Sequence, residues 1–112
     1  SMVDNQPISK NDATAHAEIQ LIRVAGKELQ NYRLNGSTLF VTLEPCAMCF
    51  GAMVHARIKR IVYGAHDLKT GVCGSSEDLT NANFLKHKIN ISGGVLESKC
   101  SQLLQTFFKS RR

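Results

Sequence analysis

No run of apolar residues in this 112-residue chain approaches the roughly 20 needed to cross a bilayer as a helix. No N-terminal signal peptide is visible either, so the expected compartment is the cytoplasm. Repeats, low-complexity tracts and linker-like segments are missing, which leaves a single domain over residues 1–112 as the expectation. Acidic residues are in the minority, nine against fourteen basic ones, giving a formal net charge of +5. That excess leans toward polyanionic partners without demanding one. Cysteine is sparse, at four residues. Two disulfides would suit a secreted chain, and without a visible signal peptide Cys73 and Cys100 are expected to be plain reduced thiols. The Asn-x-Ser matches at Asn35 and Asn90 carry no meaning without a secretory route.

What is present is an ordinary globular composition, 43% hydrophobic and 21% charged, in alternating strand-like and helix-like segments. Ser1 to Asn11 is polar and turn-rich. Asn11 or Asp12 can cap a helix from about Ala13 to Gln30, with Ile19, Leu21, Ile22, Val24, Ala25 and Leu29 as its apolar set. Thr38 to Leu43 is a buried-strand candidate, and Pro45 opens a helix to about Arg57. Between Glu44 and His55 that helix carries no charge, and its apolar positions surround it, which predicts burial on more than one side and a partner subunit. Arg60 to Ala65 is a second strand, followed by a loop over His66 to Ser76. A weaker helix is expected over Glu77 to Leu85, a strand over Lys88 to Ser92, a Gly93-Gly94 turn, and an amphipathic helix from about Glu97 to Arg112. Strands alternating with helices predict an α/β fold with a parallel sheet.

The chemistry lies in two short motifs, His16-Ala17-Glu18 and Pro45-Cys46-Ala47-Met48-Cys49. Cys46 and Cys49, three apart at the start of a helix, can grip one ion, and the positive end of the helix dipole favours their thiolates. With His16 they make one nitrogen and two sulfur donors, which suits zinc with its fourth tetrahedral position left for water. The alternatives for the cysteine pair alone are a redox dithiol or half of a structural zinc ribbon. A ribbon needs a fourth protein ligand, and His55, His66, His87 and Cys73 are the available residues, none at ligand spacing. Glu18 is placed to move protons to and from the water rather than to act as a fourth ligand, because positions two apart on a helix point about 200° away from each other.

His-x-Glu followed by Pro-Cys-x-x-Cys is the signature of zinc nucleobase deaminases. More closely, the chain resembles the bacterial tRNA-specific adenosine deaminases, which convert the wobble adenosine of an arginine-type anticodon to inosine. The resemblance covers nearly the whole chain, through Asn5 to Ile8, Asp12 to Ile19, Asn31 to Leu34, Leu39 to Cys46 and Gly64 to Gly71. It departs at Asp4, where relatives tend to carry an aromatic residue. The family likeness implies zinc on His16, Cys46 and Cys49, one ion per subunit, with Glu18 as proton shuttle. It implies Asn5 against the flipped base and Ala65, Asp67, Lys69 and Thr70 along the RNA path. It also implies a cytidine deaminase-like three-layer α/β/α sandwich acting as a homodimer. Relatives carry a further N-terminal helix and two strands, so an N-terminally truncated domain with an open sheet edge is expected.

Lys109, Arg111 and Arg112 can grip phosphates or simply complement a helix C-terminus. Two other functions suit the same motifs: deamination of a free base or nucleotide such as guanine, cytosine or deoxycytidylate, and a non-catalytic zinc-stabilised remnant.

Overall fold

The computed structural model describes Thr14 and residues 16–99. Five elements follow one another: helix α1 (Ala17–Leu29), strand β1 (Thr38–Leu43), helix α2 (Ala47–His55), strand β2 (Arg60–Ala65) and strand β3 (Asn90–Ser92). The strands form one parallel sheet in the order β1-β2-β3. The α/β class and the parallel sheet are therefore as expected, and β1 and β2 occupy the expected residues. Strand β3 is two residues shorter at its start than expected.

The β-branched and aromatic alternation of β1 sends Leu39 into the core and leaves Thr38, Phe40 and Thr42 exposed on the other face. Helices α1 and α2 touch each other and cover the core side. Between them and the sheet, Ile19, Leu39, Phe50, Met53, Ile58 and Ile61 form one cluster with Leu34 and Ile89. Within α2 the buried residues are Cys49, Phe50, Met53 and Val54, while Ala47, Met48 and His55 face outward. A second helical layer would come from the expected C-terminal helix. Residues 97–99 begin a helical turn, and the rest of that segment lies outside the described residues.

Met53 is completely buried at the centre of the cluster. A Met53→Ala chain should lose roughly 2–5 kcal/mol, from lost burial plus a cavity that well-packed neighbours cannot close. Urea titration should show a lower midpoint at unchanged slope, as expected for a loss of stability with the same surface exposed.

Two expectations are corrected. Helix α1 begins at Ala17 rather than near Ala13, and its N-cap is His16, not Asn11 or Asp12. The His16 backbone is extended (φ −70°, ψ 153°), its N–H bonds the Thr14 carbonyl at 2.9 Å, and its own carbonyl accepts from Gln20 at 3.0 Å. No helix forms over 77–85. There the Asp78 carboxylate accepts from the Thr80 N–H at 2.9 Å and from the Thr80 hydroxyl, and Cys73 bridges to Asp78. Leu79 donates back to the Val72 carbonyl at 2.8 Å. These local side-chain bonds offer the backbone turns in place of a helix ladder.

Candidate metal centre and substrate loop

The two helices meet with their N-termini together, and that meeting builds the site. Cys46, like His16, is an N-cap with extended backbone (φ −80°, ψ 173°), and its carbonyl accepts from Phe50 at 2.9 Å. Neither residue uses its side chain to cap its helix. Both side chains are thus available for ligation, and Cys49 joins them from the first turn of α2. The His16 Nδ1 atom lies 3.8 Å from Cys46 Sγ and 3.5 Å from Cys49 Sγ.

Those separations test whether an ion fits. Ordinary zinc–nitrogen and zinc–sulfur bonds at a tetrahedral angle put the two donors about 3.6 Å apart. All three donor atoms lie within 4.8 Å of one another, and this is the one such cluster among the described residues. The donor set can therefore hold a metal ion.

The residues considered for a ribbon's fourth ligand lie outside this cluster. His66 Nδ1 pairs with Glu97 at 2.7 Å, His87 Nε2 bonds the Ile58 carbonyl at 2.7 Å, and His55 is exposed at the far end of α2. Cys73 is free and half-buried, its thiol pushed up to about 12 by burial and then by the Glu44 and Asp78 carboxylates.

Glu18 arrives beside the cluster from the first turn of α1, with Oε2 3.2 Å from Cys49 Sγ. Burial above all, then the Glu18 carboxylate and Cys46, push the Cys49 thiol well above the usual range. Two thiols and a carboxylate lie together in this half-buried pocket, and a bound cation would offset their negative charge.

The residues that the family resemblance points to behave differently from one another. Ala65 is buried and its carbonyl accepts from the Glu44 N–H at 2.9 Å. The Asp67 carboxylate accepts from the Lys69 and Thr70 N–H groups at 3.0 and 3.1 Å and from the Thr70 hydroxyl at 2.8 Å. Burial raises Asp67, but the bonds from Thr70 and Lys69 outweigh it and hold the carboxyl below its ordinary value. Lys69 is exposed, Leu68 projects into solvent, and Asn5 lies outside the described residues.

The residue that sequence reasoning missed is Glu44. It is 2% exposed, yet its carboxylate accepts from the N–H groups of Asp67, Cys73 and Ser75 and from the Ser75 hydroxyl. The sequence signals were a charged residue directly after a buried-strand candidate and its place within the Leu39 to Cys46 stretch of the family resemblance.

The His66–Glu97 pair ties this loop to the start of the last helical turn. The Glu97 hydrogen bond raises His66 above its ordinary 6.5, against a smaller opposing effect of burial, and the same bond lowers Glu97 below 4.5. For the histidine, the contribution is complete below 6.5 and disappears as pH rises through the raised folded value. For the glutamate, it is present above 4.5 and disappears as pH falls through the lowered one. The contact should therefore be strongest between those two ordinary values. An NMR titration should find that Glu97→Gln returns His66 toward its ordinary value.

Comparison with known proteins agrees with this geometry. The sequence profile described as MafB19-like deaminase matches residues 3–112. A tRNA-specific adenosine deaminase of Haemophilus influenzae is 52% identical over 108 residues, covering 96% of this chain and 62% of the relative. The chain thus spans about three-fifths of that relative's length. A solved structure from a study of A-to-I editing by tRNA:A34 deaminases at the wobble position of transfer RNA superposes with TM-score 0.83 at 39% identity, covering 89% of this chain and 72% of that one. Guanine deaminase from Nitrosomonas europaea superposes with TM-score 0.75 at 22% identity, covering 91% and 61%, a likeness of fold alone.

Proposed function

Because the chain belongs to the MafB19-like deaminase family, we propose that it deaminates adenosine to inosine hydrolytically at the wobble position of a tRNA anticodon. The observation that carries this reading is the convergence of His16, Cys46 and Cys49 with the Glu18 carboxylate at the meeting of two helix N-termini. The tRNA part of the proposal is supported by the relatives at 52% and 39% identity.

His16 Nδ1, Cys46 Sγ and Cys49 Sγ would hold one zinc ion per subunit. When bound, zinc supplies Lewis-acid activation of water near neutral pH. The residues of the chain do the rest. Glu18 takes the proton of the attacking water on a carboxylate oxygen and passes it to a ring nitrogen of adenine. Water oxygen bonds to C6, the C6–N bond breaks, and Glu18 carries the second proton to the departing ammonia. The base must leave the stack, which costs least in an anticodon loop already partly unpaired.

Asn5 is assigned to the flipped base, and the loop with Ala65, Asp67, Lys69 and Thr70 to the RNA path. The bonds inside that loop favour a rigid wall, with Lys69 as the residue free to meet phosphate. An arginine-type anticodon, a cytoplasmic location and phosphate contacts from Lys109, Arg111 and Arg112 belong to the same reading. So does a homodimer through the outer face of α2, where the outward-facing Ala47 and Met48 carry no charge. No helix among the described residues is long and apolar enough to cross a membrane.

The deciding experiment measures ammonia release from an anticodon stem-loop beside free adenosine, guanine and cytosine, with and without a chelator. Release from the stem-loop that stops on chelation is expected. Release only from a free base would replace the substrate, and a metal-loaded chain releasing none from any substrate would make this a non-catalytic module.

A further inference from the structure

A carboxylate that is almost wholly buried needs a reason to be there, because an unsatisfied one costs several kcal/mol. Glu44 is such a group, and its partners come from far along the chain. Its Oε1 accepts from the Asp67 N–H at 3.1 Å, and its Oε2 from Cys73 at 2.8 Å and Ser75 at 3.2 Å. The Ser75 hydroxyl also donates to Oε1. Backbone N–H groups converging on one carboxylate form an internal anion nest.

The position of this nest matters. Glu44 precedes the metal-ligating Cys46 by two residues, and Pro45 and Cys46 themselves pair with the same loop. Val72 donates to the Pro45 carbonyl at 3.0 Å, and Cys46 bridges to Gly71. Gly71 leaves room for the carboxylate, since a Cβ there would lie 2.4 Å from Glu44 Cδ. The loop that carries Asp67, Lys69 and Thr70 is therefore hung on the same short segment that carries the metal ligand.

Resting on the deaminase reading above, we propose that Glu44 is a positioning residue for that reaction: its carboxylate clamps the 66–76 loop to the Cys46 turn and holds the substrate-facing residues in register with the metal ligands. It touches neither substrate nor metal and acts through the loop. Glutamine cannot replace it, because one of its two polar atoms is an NH₂ that would face N–H donors.

The test compares wild type with Glu44→Gln, Ser75→Ala and Gly71→Ala, each loaded with Co(II) for spectroscopy and zinc for kinetics. Ser75→Ala removes one donor and leaves three, so it covers the case in which Glu44→Gln does not fold. Hydrogen exchange at the Asp67, Cys73 and Ser75 amides should speed up by about tenfold or more in Glu44→Gln and Gly71→Ala, and by less in Ser75→Ala, while Ile61 stays protected. The KM for an anticodon stem-loop should rise about tenfold with kcat within about threefold, the pattern of lost substrate positioning rather than lost folding. The thiolate-to-cobalt absorption should not change.

Unchanged loop exchange would overturn the proposal. So would loss of the cobalt band, which would put the effect of Glu44 on the metal instead. If the wild type releases no ammonia, the deaminase reading falls on that result, and loop exchange with the cobalt spectrum alone decides whether Glu44 is the clamp.

Discussion

A Glu18→Ala chain is expected to lose about 10²–10⁴-fold in ammonia release, the span that a positioned general acid–base group contributes, while keeping its metal. The two halves of this prediction come from different observations. Metal is retained because the cluster within 4.8 Å consists of His16, Cys46 and Cys49 without the glutamate. Turnover is lost because Glu18, whose Oε2 is 3.2 Å from Cys49 Sγ, is the carboxylate in contact with that cluster. The other carboxylate nearby in sequence, Glu44, has its oxygens occupied by loop donors. Measuring zinc content and initial rate on the same preparation separates the two halves. A variant with wild-type turnover would remove Glu18 from the chemistry. A variant that lost its metal would make it a ligand or a prop for one.

The second large effect concerns the ion itself. Cys49 is 1% exposed, packs in the core and also faces His16. A Cys49→Ala chain should retain under about a tenth of the wild-type zinc, because two donors cannot close a site built for three. Its activity should vanish, and its thermal stability should fall as well. An ion that binds only the folded chain stabilises it by about 4 kcal/mol when free metal is a thousandfold above Kd. In a domain near this size, 1 kcal/mol corresponds to about 4–8 °C in Tm. Chelation of the wild type should reproduce most of that drop, and chelation of Cys49→Ala should add nothing. Equal Tm values with and without chelator in the wild type would mean that the ion does not hold the two helix N-termini together.

Among the described residues β1 lies at the edge of the sheet with β2 as its one paired strand, and this bears on how such measurements are made. Beside it, between α1 and β1, lies a cavity of about 280 Å³ lined by Leu21, Ile22, Leu34 and Phe40. Unpaired strand edges next to apolar surface template association between chains. Rates and melting curves should therefore be compared at several protein concentrations.

Some of this protein was legible without coordinates. The two long strands were, because a β-branched and aromatic run between turn residues has few other structures open to it. The meeting of His16, Cys46 and Cys49 was as well, since one imidazole and two thiolates at that spacing suit a shared ion. Both are local matters of residue type and interval. Three other features were decided only by the tertiary structure. The placement of His16 just outside its helix depends on where α1 meets α2, which no interval within 13–30 encodes. The turns over 77–85 won because Asp78 and Thr80 bond to one another and Leu79 bonds back to Val72. The burial of Glu44 among backbone donors was invisible because its partners stand 23, 29 and 31 positions away. A buried carboxylate is explained by whichever donors the fold brings to it, and those donors are backbone amides, which every sequence has and none advertises.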